Sequence, residues 1–132
     1  MPDAAGAGLS EFISALPFQP TLERIVKAIE DAGMTVFARI DHAAGAREAG
    51  MEMPPTVVLS YGNPKGGTPI MLAAPAVALD LPLRVLVRED PTGRAVVSFH
   101  PITPILQQAG VPDPLAHRLE PAQRLLVEAI RG

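Results

Sequence analysis

Two groups of residues in this sequence have the types and spacing that a binding or catalytic site requires. The first is segment 61–69, which reads YGNPKGGTP and supplies Asn63, Lys65, Gly66, Gly67 and Thr68. Backbone N–H groups at the start of a helix, together with its positive dipole end, favour a phosphate or carboxylate. The Lys65 ammonium would add positive charge. We therefore predict that this segment holds a small anionic ligand.

The same segment also fits a purely structural role. Glycine permits a tight turn, Thr68 is a suitable helix N-cap, and Pro69 is suited to the first position of the helix that would follow. The pattern is not that of a nucleotide-binding P-loop, because Thr68 follows Gly67 where that pattern needs lysine. The ligand and structural interpretations both remain open at this point.

The second group is Asp41-His42, the only adjacent acid and imidazole in the chain. If the chain turns there, Asp41 could orient His42 as a general base, or the pair could bind a polar ligand. The alternative is that Asp41 caps a short alanine-rich helix with His42 in its first turn. The ligand hypothesis requires the Asp41 turn and the amides beside Lys65 to face the same hollow.

Other kinds of site are not supported by the sequence. His42, His100 and His117 are far apart and show no metal-binding spacing, and cysteine is absent. No serine lies in a G-x-S-x-G nucleophile motif. We therefore expect no metal, no cofactor and no assigned catalytic residue.

Composition limits the partners. The chain has 132 residues, a formal net charge of −3 and an isoelectric point near 5.5, whereas nucleic-acid and anionic-membrane binders are normally basic. No apolar run approaches the ~18 residues that span a bilayer, and the N-terminus lacks the features of a signal peptide. We predict a cytoplasmic protein that binds neither nucleic acid nor membrane.

The Ala/Gly-rich composition of residues 1–8 predicts a loose tail, and residues 9–132 are predicted to form one domain. Within that domain we expect a strand over 9–18, a helix capped by Thr21, and strands over 34–40, 56–61, 83–90 and 95–100. Short helical pieces are expected over 42–49 and 69–74, and helices again over 115–130. Two long amphipathic helices can cover only one face of a four- or five-stranded sheet. The fold class is therefore α+β with a single antiparallel sheet.

Alternation along the strands predicts which residues each sheet face carries. The helix-covered face should hold Val36, Ala38, Val57, Leu59, Leu83, Val85, Val87, Val97 and Phe99. The other face mixes Phe37, Val58, Leu86 and Val96 with Arg39, Arg84, Arg88, Ser98 and His100. A partly apolar face of this kind is a candidate for a subunit contact or a ligand.

Three blocks together resemble the bacterial and archaeal domain-of-unknown-function 302 family. They are residues 40–46 (IDHAAGA), 62–71 (GNPKGGTPIM) and 78–90 (ALDLPLRVLVRED), and the resemblance extends over about residues 21–106. It implies a small α+β domain of TATA-binding-protein-like arrangement that is often a homodimer, and it does not imply DNA binding. The family has no established activity, so it assigns no catalytic residue.

The first functional hypothesis is a non-enzymatic homodimeric module that binds a small anionic ligand. The second is a structural or protein-interaction dimer formed through the mixed sheet face. The third is an enzyme that uses Asp41 and His42 as acid and base while the glycine segment holds the substrate.

Overall fold

The computed structural model describes residues 8–132; residues 1–7, most of the predicted tail, lie outside the described part. In chain order the elements are β1 (Ser10–Ile13), α1 (Phe18–Asp31), β2 (Thr35–Asp41), α2 (His42–Glu48), β3 (Thr56–Gly62), α3 (Pro64–Ala73), a 3₁₀ helix (Pro75–Asp80), β4 (Leu83–Glu89), β5 (Ala95–Phe99), α4 (Ile102–Gln108), α5 (Asp113–Ala116) and α6 (Glu120–Ala129).

The five strands form one antiparallel sheet in the order β1-β5-β4-β3-β2. The predicted α+β class with a single antiparallel sheet is therefore confirmed. The β4–β5 hairpin also forms as predicted, around a turn at Asp90. The four-residue β1 and the seven-residue β2 form the two edges of the sheet.

Helices α1 and α6 pack against each other and cover one face of the sheet. Leu22, Ile25 and Ile29 of α1 are spaced on one helical stripe and are fully buried, as is Leu126 of α6. Their sheet partners include Val57, Leu59, Tyr61, Val85, Val87 and Val97. Burying each large side chain contributes about 1.5–3 kcal/mol, so this layer drives folding.

A β-bulge in β2 changes the predicted faces. Val36 lies opposite Tyr61, but the next pair in the ladder is Ala38 with Ser60, so Phe37 is the extra residue. Because opposed residues share a face, Ala38 lies on the uncovered side with Ser60. The prediction that Ala38 belongs to the covered face is wrong. The prediction that Arg39 belongs to the mixed face is also wrong, because Arg39 opposes Leu59 and therefore lies on the covered side.

The uncovered face carries a row of apolar side chains across three strands. Leu86 opposes Val58, which opposes Ile40, and Ile40 is 49% exposed. Arg84 and Arg88 flank this row on β4, as predicted. Arg88 Nη2 lies 3.3 Å from Glu11 Oε2.

His100 follows the end of β5, so it is not part of the predicted mixed face. Its carbonyl accepts a hydrogen bond from Gln123 Nε2 at 3.0 Å, and Gln123 Oε1 accepts from the Ile102 amide at 3.0 Å. The buried Gln123 side chain thereby joins α6 to the segment after β5. Both polar ends of that side chain are bonded, which offsets the cost of burying it.

Two helices begin earlier than predicted. Helix α1 begins at Phe18, so the predicted strand over 9–18 is shorter and Thr21 lies within the helix rather than capping it. The Thr21 hydroxyl is buried, lies 2.6 Å from Ser14 Oγ, and donates to the Leu16 carbonyl at 3.0 Å. Helix α3 begins at Pro64, with Asn63 as its N-cap and Pro69 inside it, so the predicted cap at Thr68 is wrong.

Candidate functional site

An apolar cavity lies where β3 ends and α3 begins, with a volume of about 240 Å³. Its walls come from the α1–β2 turn and β2, the β3–α3 junction, the segment before β4, and the α5–α6 region. No charged residue is found among the described residues that line it. These residues are Met34, Phe37, Tyr61, Gly62, Asn63, Pro64, Gly66, Gly67, Thr68, Met71, Leu81, Pro82, Leu83, Leu119 and Ala122.

The inner wall is fixed by Tyr61, which is fully buried at the end of β3. Its phenol donates to the Ala122 carbonyl of α6 at 2.9 Å. Burial raises the pKa of the Tyr61 phenol well above its ordinary value, because the anion would lose its hydration there. Tyr61 is therefore a neutral structural anchor, and its hydroxyl is already occupied.

The amides at the start of α3 are occupied as well. Asn63 Oδ1 accepts from the Lys65 amide at 2.9 Å. The Asn63 carbonyl accepts from the Gly66 amide at 2.9 Å and the Gly67 amide at 3.1 Å. Pro64 has no N–H to offer. These amides are thus bonded within the helix start itself, and none of them is left to bind an anion.

The structure brings together four of the seven residues proposed from the sequence. Asn63, Gly66, Gly67 and Thr68 line the cavity, whereas the exposed Lys65 is not part of the lining. The glycines allow close packing there: a Cβ on Gly66 would lie 3.3 Å from Leu119 Cδ2, and one on Gly67 would lie 3.8 Å from Leu81 Cδ1.

Asp41 and His42 lie at the other end of the sheet. Thr35 opposes Gly62 at the cavity end of the β2–β3 ladder, and Asp41 opposes Val57 at the far end. Five residue steps separate these pairs along β3, which is about 17 Å at ~3.4 Å per residue. The expectation that the two segments face one hollow is wrong.

Asp41 instead serves as the N-cap of α2, where its Oδ1 accepts from the Ala44 amide at 2.9 Å. His42 is the exposed first residue of that helix. This matches the alternative interpretation of the pair as a helix start. The arrangement gives the imidazole no access to the cavity.

The residues that sequence reasoning missed are apolar ones, above all Met34, Met71, Leu81 and Leu119. They are separated from one another in the chain and each is typical of a core position, so no local pattern marks them. The sequence did mark one wall of the cavity through segment 62–69, which contains three glycines and two prolines.

Within residues 8–132 no group of three or more histidine, aspartate or glutamate side chains is arranged to hold a metal ion. The described part of the chain also has no helix with the length and hydropathy needed to cross a bilayer.

Comparison with protein families identifies the chain. The family model described as "Domain of unknown function DUF302" matches residues 11–131, nearly the whole sequence. This chain belongs to the DUF302 family. The resemblance inferred from segments 40–46, 62–71 and 78–90 is therefore confirmed, and it extends further along the chain than those blocks.

A solved structure gives independent support for the fold. The DUF302 chain described here superimposes on the crystal structure of an uncharacterized conserved DUF302 protein from Bacillus stearothermophilus with a TM-score of 0.79. The match covers 95% of this chain and 97% of the other at 16% sequence identity. Identity at that level establishes the shared fold only.

Curated relatives match part of this DUF302 chain more strongly in sequence. A protein of Brucella suis named "Fluoride-specific ion channel FluC 1" is 46% identical over 74 residues, which is 56% of this chain and 29% of the relative. A Brucella abortus protein of the same name and a Brucella melitensis protein named "Fluoride-specific ion channel FluC 2" are also 46% identical over 74 residues, which is 27% of each relative. The chain thus spans less than a third of the length of these curated relatives.

Proposed function

We propose that this DUF302 protein is a non-enzymatic homodimeric module that binds a compact apolar molecule in the cavity beside Tyr61. The observation that carries the proposal is a cavity of about 240 Å³ whose lining, within the described residues, holds no charged side chain. The anionic ligand expected from the sequence is replaced by an apolar one, because the Lys65, Gly66 and Gly67 amides are bonded internally.

The cavity volume sets the size of the ligand. A dry cavity of ~150 Å³ lined by leucine, isoleucine and phenylalanine is large enough for benzene, and sites for drug-sized ligands are about 300–1,000 Å³. The volume here falls between these values. It suits a molecule of one ring with a short substituent rather than a nucleotide or a long acyl chain.

The test is methionine-methyl NMR of ¹³C-labelled protein titrated with benzene. Met34 and Met71 line the cavity, whereas Met51 and Met53 are exposed and outside it. We expect saturable shifts of the Met34 and Met71 signals while those of Met51 and Met53 stay in place. Absence of any saturable shift at the cavity methionines, with the protein folded, would overturn the proposal.

A non-enzymatic role is supported by the separation of the polar groups. Asp41 is engaged as a helix cap and lies about 17 Å from the cavity end of β3 by strand geometry. Acid–base chemistry needs hydrogen-bond reach to the bound molecule. No such reach exists between His42 and a ligand in this cavity.

The dimer part of the proposal is supported by the uncovered sheet face. Ile40, Val58 and Leu86 form a continuous apolar row, and a second copy would remove that row from water. Sedimentation equilibrium should report a dimer that Ile40→Glu converts to monomer. Leu72→Glu, at a 78% exposed position on α3, is the matched control and should leave the dimer intact. A monomeric wild-type protein at micromolar concentration contradicts this part.

A second candidate function is an accessory role for a fluoride-specific ion channel. It is favoured by the 46% identity to a 74-residue segment of Brucella proteins that bear that name. In those proteins the similar segment makes up 29% or 27% of the polypeptide that bears the channel name. Fluoride itself, a hydrated anion, does not suit a lining without charge.

This second candidate predicts that fluoride efflux from cells, followed with a fluoride electrode, changes when the gene for this protein is deleted and returns on complementation. Unchanged efflux in the deletion strain contradicts it. Sodium fluoride added in the NMR experiment is expected to leave the Met34 and Met71 signals in place.

A further inference from the structure

Most polar groups on the cavity wall already have partners. The Tyr61 hydroxyl donates to the Ala122 carbonyl, and Asn63 Oδ1 accepts from the Lys65 amide. Asn63 Nδ2 donates to the Gly33 carbonyl at 3.4 Å. Thr68 is exposed and lies on the lining, and among residues 8–132 its hydroxyl has no side-chain hydrogen bond. Of the described residues in the lining, Thr68 is therefore the one whose hydroxyl is available to a ligand.

The apolar part of the lining points to a ring. Phe37 and Tyr61 contribute aromatic side chains, and Met34 and Met71 contribute thioethers. Aromatic pairs and sulfur–aromatic contacts both stabilise a bound ring beyond simple burial. Phe37 is half exposed because it is the bulged residue of an edge strand, so a ligand would cover it.

Charge on the ligand is disfavoured by the same lining. An ion moved out of water needs a partner of opposite charge or several hydrogen bonds. The lining offers neither, since Lys65 lies outside it and the first amides of α3 are occupied. The ligand that fits is neutral.

We propose that the site takes a neutral single-ring aromatic molecule that carries one hydrogen-bond acceptor, and that the Thr68 hydroxyl donates to this acceptor. The inference rests on the proposed function, because it requires the cavity to bind a ligand at all. It adds the chemical class of the ligand and the residue that determines specificity.

The experiment compares acetophenone with ethylbenzene, which have similar shapes but differ in the carbonyl acceptor. Both are titrated by methionine-methyl NMR into wild-type protein, Thr68→Val and Thr56→Val. The valine at position 68 keeps the shape of threonine and lies at an exposed position, so we expect the fold to be retained. Thr56, at the far end of β3, provides the matched control.

A neutral hydrogen bond contributes about 0.5–1.5 kcal/mol, so Thr68→Val should weaken acetophenone binding by a factor of about 2 to 13. Ethylbenzene binding should not change, and Thr56→Val should affect neither ligand. Equal effects of Thr68→Val on the two ligands, or no effect on acetophenone, would overturn the inference while ethylbenzene binding still supports the cavity. Benzoate binding more tightly than acetophenone would also overturn it. Failure of ethylbenzene to bind wild-type protein would count against the proposed function itself.

Discussion

The Tyr61 hydroxyl donates to the Ala122 carbonyl at 2.9 Å and joins the last buried residue of β3 to the first turn of α6. The two bonded residues are 61 positions apart in the chain. The bond also fixes the inner wall of the cavity, because both residues belong to the lining.

Replacing Tyr61 with phenylalanine should lower the free energy of unfolding by about 1 kcal/mol, the net value of a neutral hydrogen bond. The ring remains to fill the core, so the loss is limited to the hydroxyl. Urea unfolding followed by circular dichroism measures the change. An unchanged midpoint and slope would show that the bond does not contribute to stability.

Tyr61 also predicts the behaviour of the protein in alkali. Burial raises its folded-state pKa above the unfolded value of about 10. The stabilisation from its protonated form is therefore complete below pH ~10 and is lost as the pH rises further. Tyr61 is the only tyrosine and tryptophan is absent, so the near-ultraviolet phenolate band reports this residue alone. The band should appear together with the loss of circular dichroism; phenolate formation in folded protein would contradict the prediction.

The turn between β4 and β5 predicts behaviour in acid. The Thr92 hydroxyl, the Arg94 and Thr92 amides and the Arg94 guanidinium hold the pKa of the Asp90 carboxyl down at about 2. Its contribution to stability is present above the unfolded pKa of about 4 and is lost as the pH falls through about 2. Between about pH 4 and pH 2, Asp90→Asn should therefore lose less stability than the wild-type protein. Coincident profiles of unfolding free energy against pH for the two proteins would refute this.

Two glycines in helices should respond differently to alanine. A Cβ on Gly45 in α2 meets nothing within 4 Å, whereas one on Gly66 lies 3.3 Å from Leu119 Cδ2. Gly45→Ala should raise the free energy of unfolding by about 0.5–1 kcal/mol through helix propensity. Gly66→Ala should give a smaller gain or a loss, because Leu119 must move. Equal stabilisation by the two substitutions in thermal unfolding would argue against tight packing at Gly66.

A larger side chain at Gly67 should close the cavity. A Cβ there makes ordinary contacts of 3.8 Å with Leu81 Cδ1 and 3.9 Å with Met71 Cε, so the first carbon is tolerated. Gly67→Leu is expected to weaken benzene binding at least tenfold in the methionine-methyl titration, with Gly45→Leu as the control that retains it. Full benzene affinity in Gly67→Leu would place the binding site elsewhere.

The α+β class and the single antiparallel sheet were predictable because they depend on local periodicity. The stripe of Leu22, Ile25 and Ile29 and the alternation of Val57, Leu59 and Tyr61 appear in the chain itself. The bulge at Phe37 was not predictable, because it depends on how β2 pairs with β3. One unpaired residue then reverses the faces of every position that follows it in the strand.

The start of α3 illustrates a second limit. Asn63-Pro64 and Thr68-Pro69 both combine a capping side chain with a proline suited to the first turn. Nothing local distinguishes them, and the helix begins at the first. The cavity was only partly predictable for a similar reason: its glycine wall is a continuous run of sequence, whereas Met34, Leu81 and Leu119 meet only in the folded chain.

The bulge at Phe37 also changes the free edge of the sheet. Strand β2 is a seven-residue edge with exposed apolar side chains, the kind of border along which identical molecules can add strand to strand into fibres. An extra residue near its beginning breaks the even spacing of hydrogen-bonding groups along that border. Bulges are among the features that disfavour strand addition at sheet edges, and this one lies beside the exposed apolar side chains of Phe37 and Ile40.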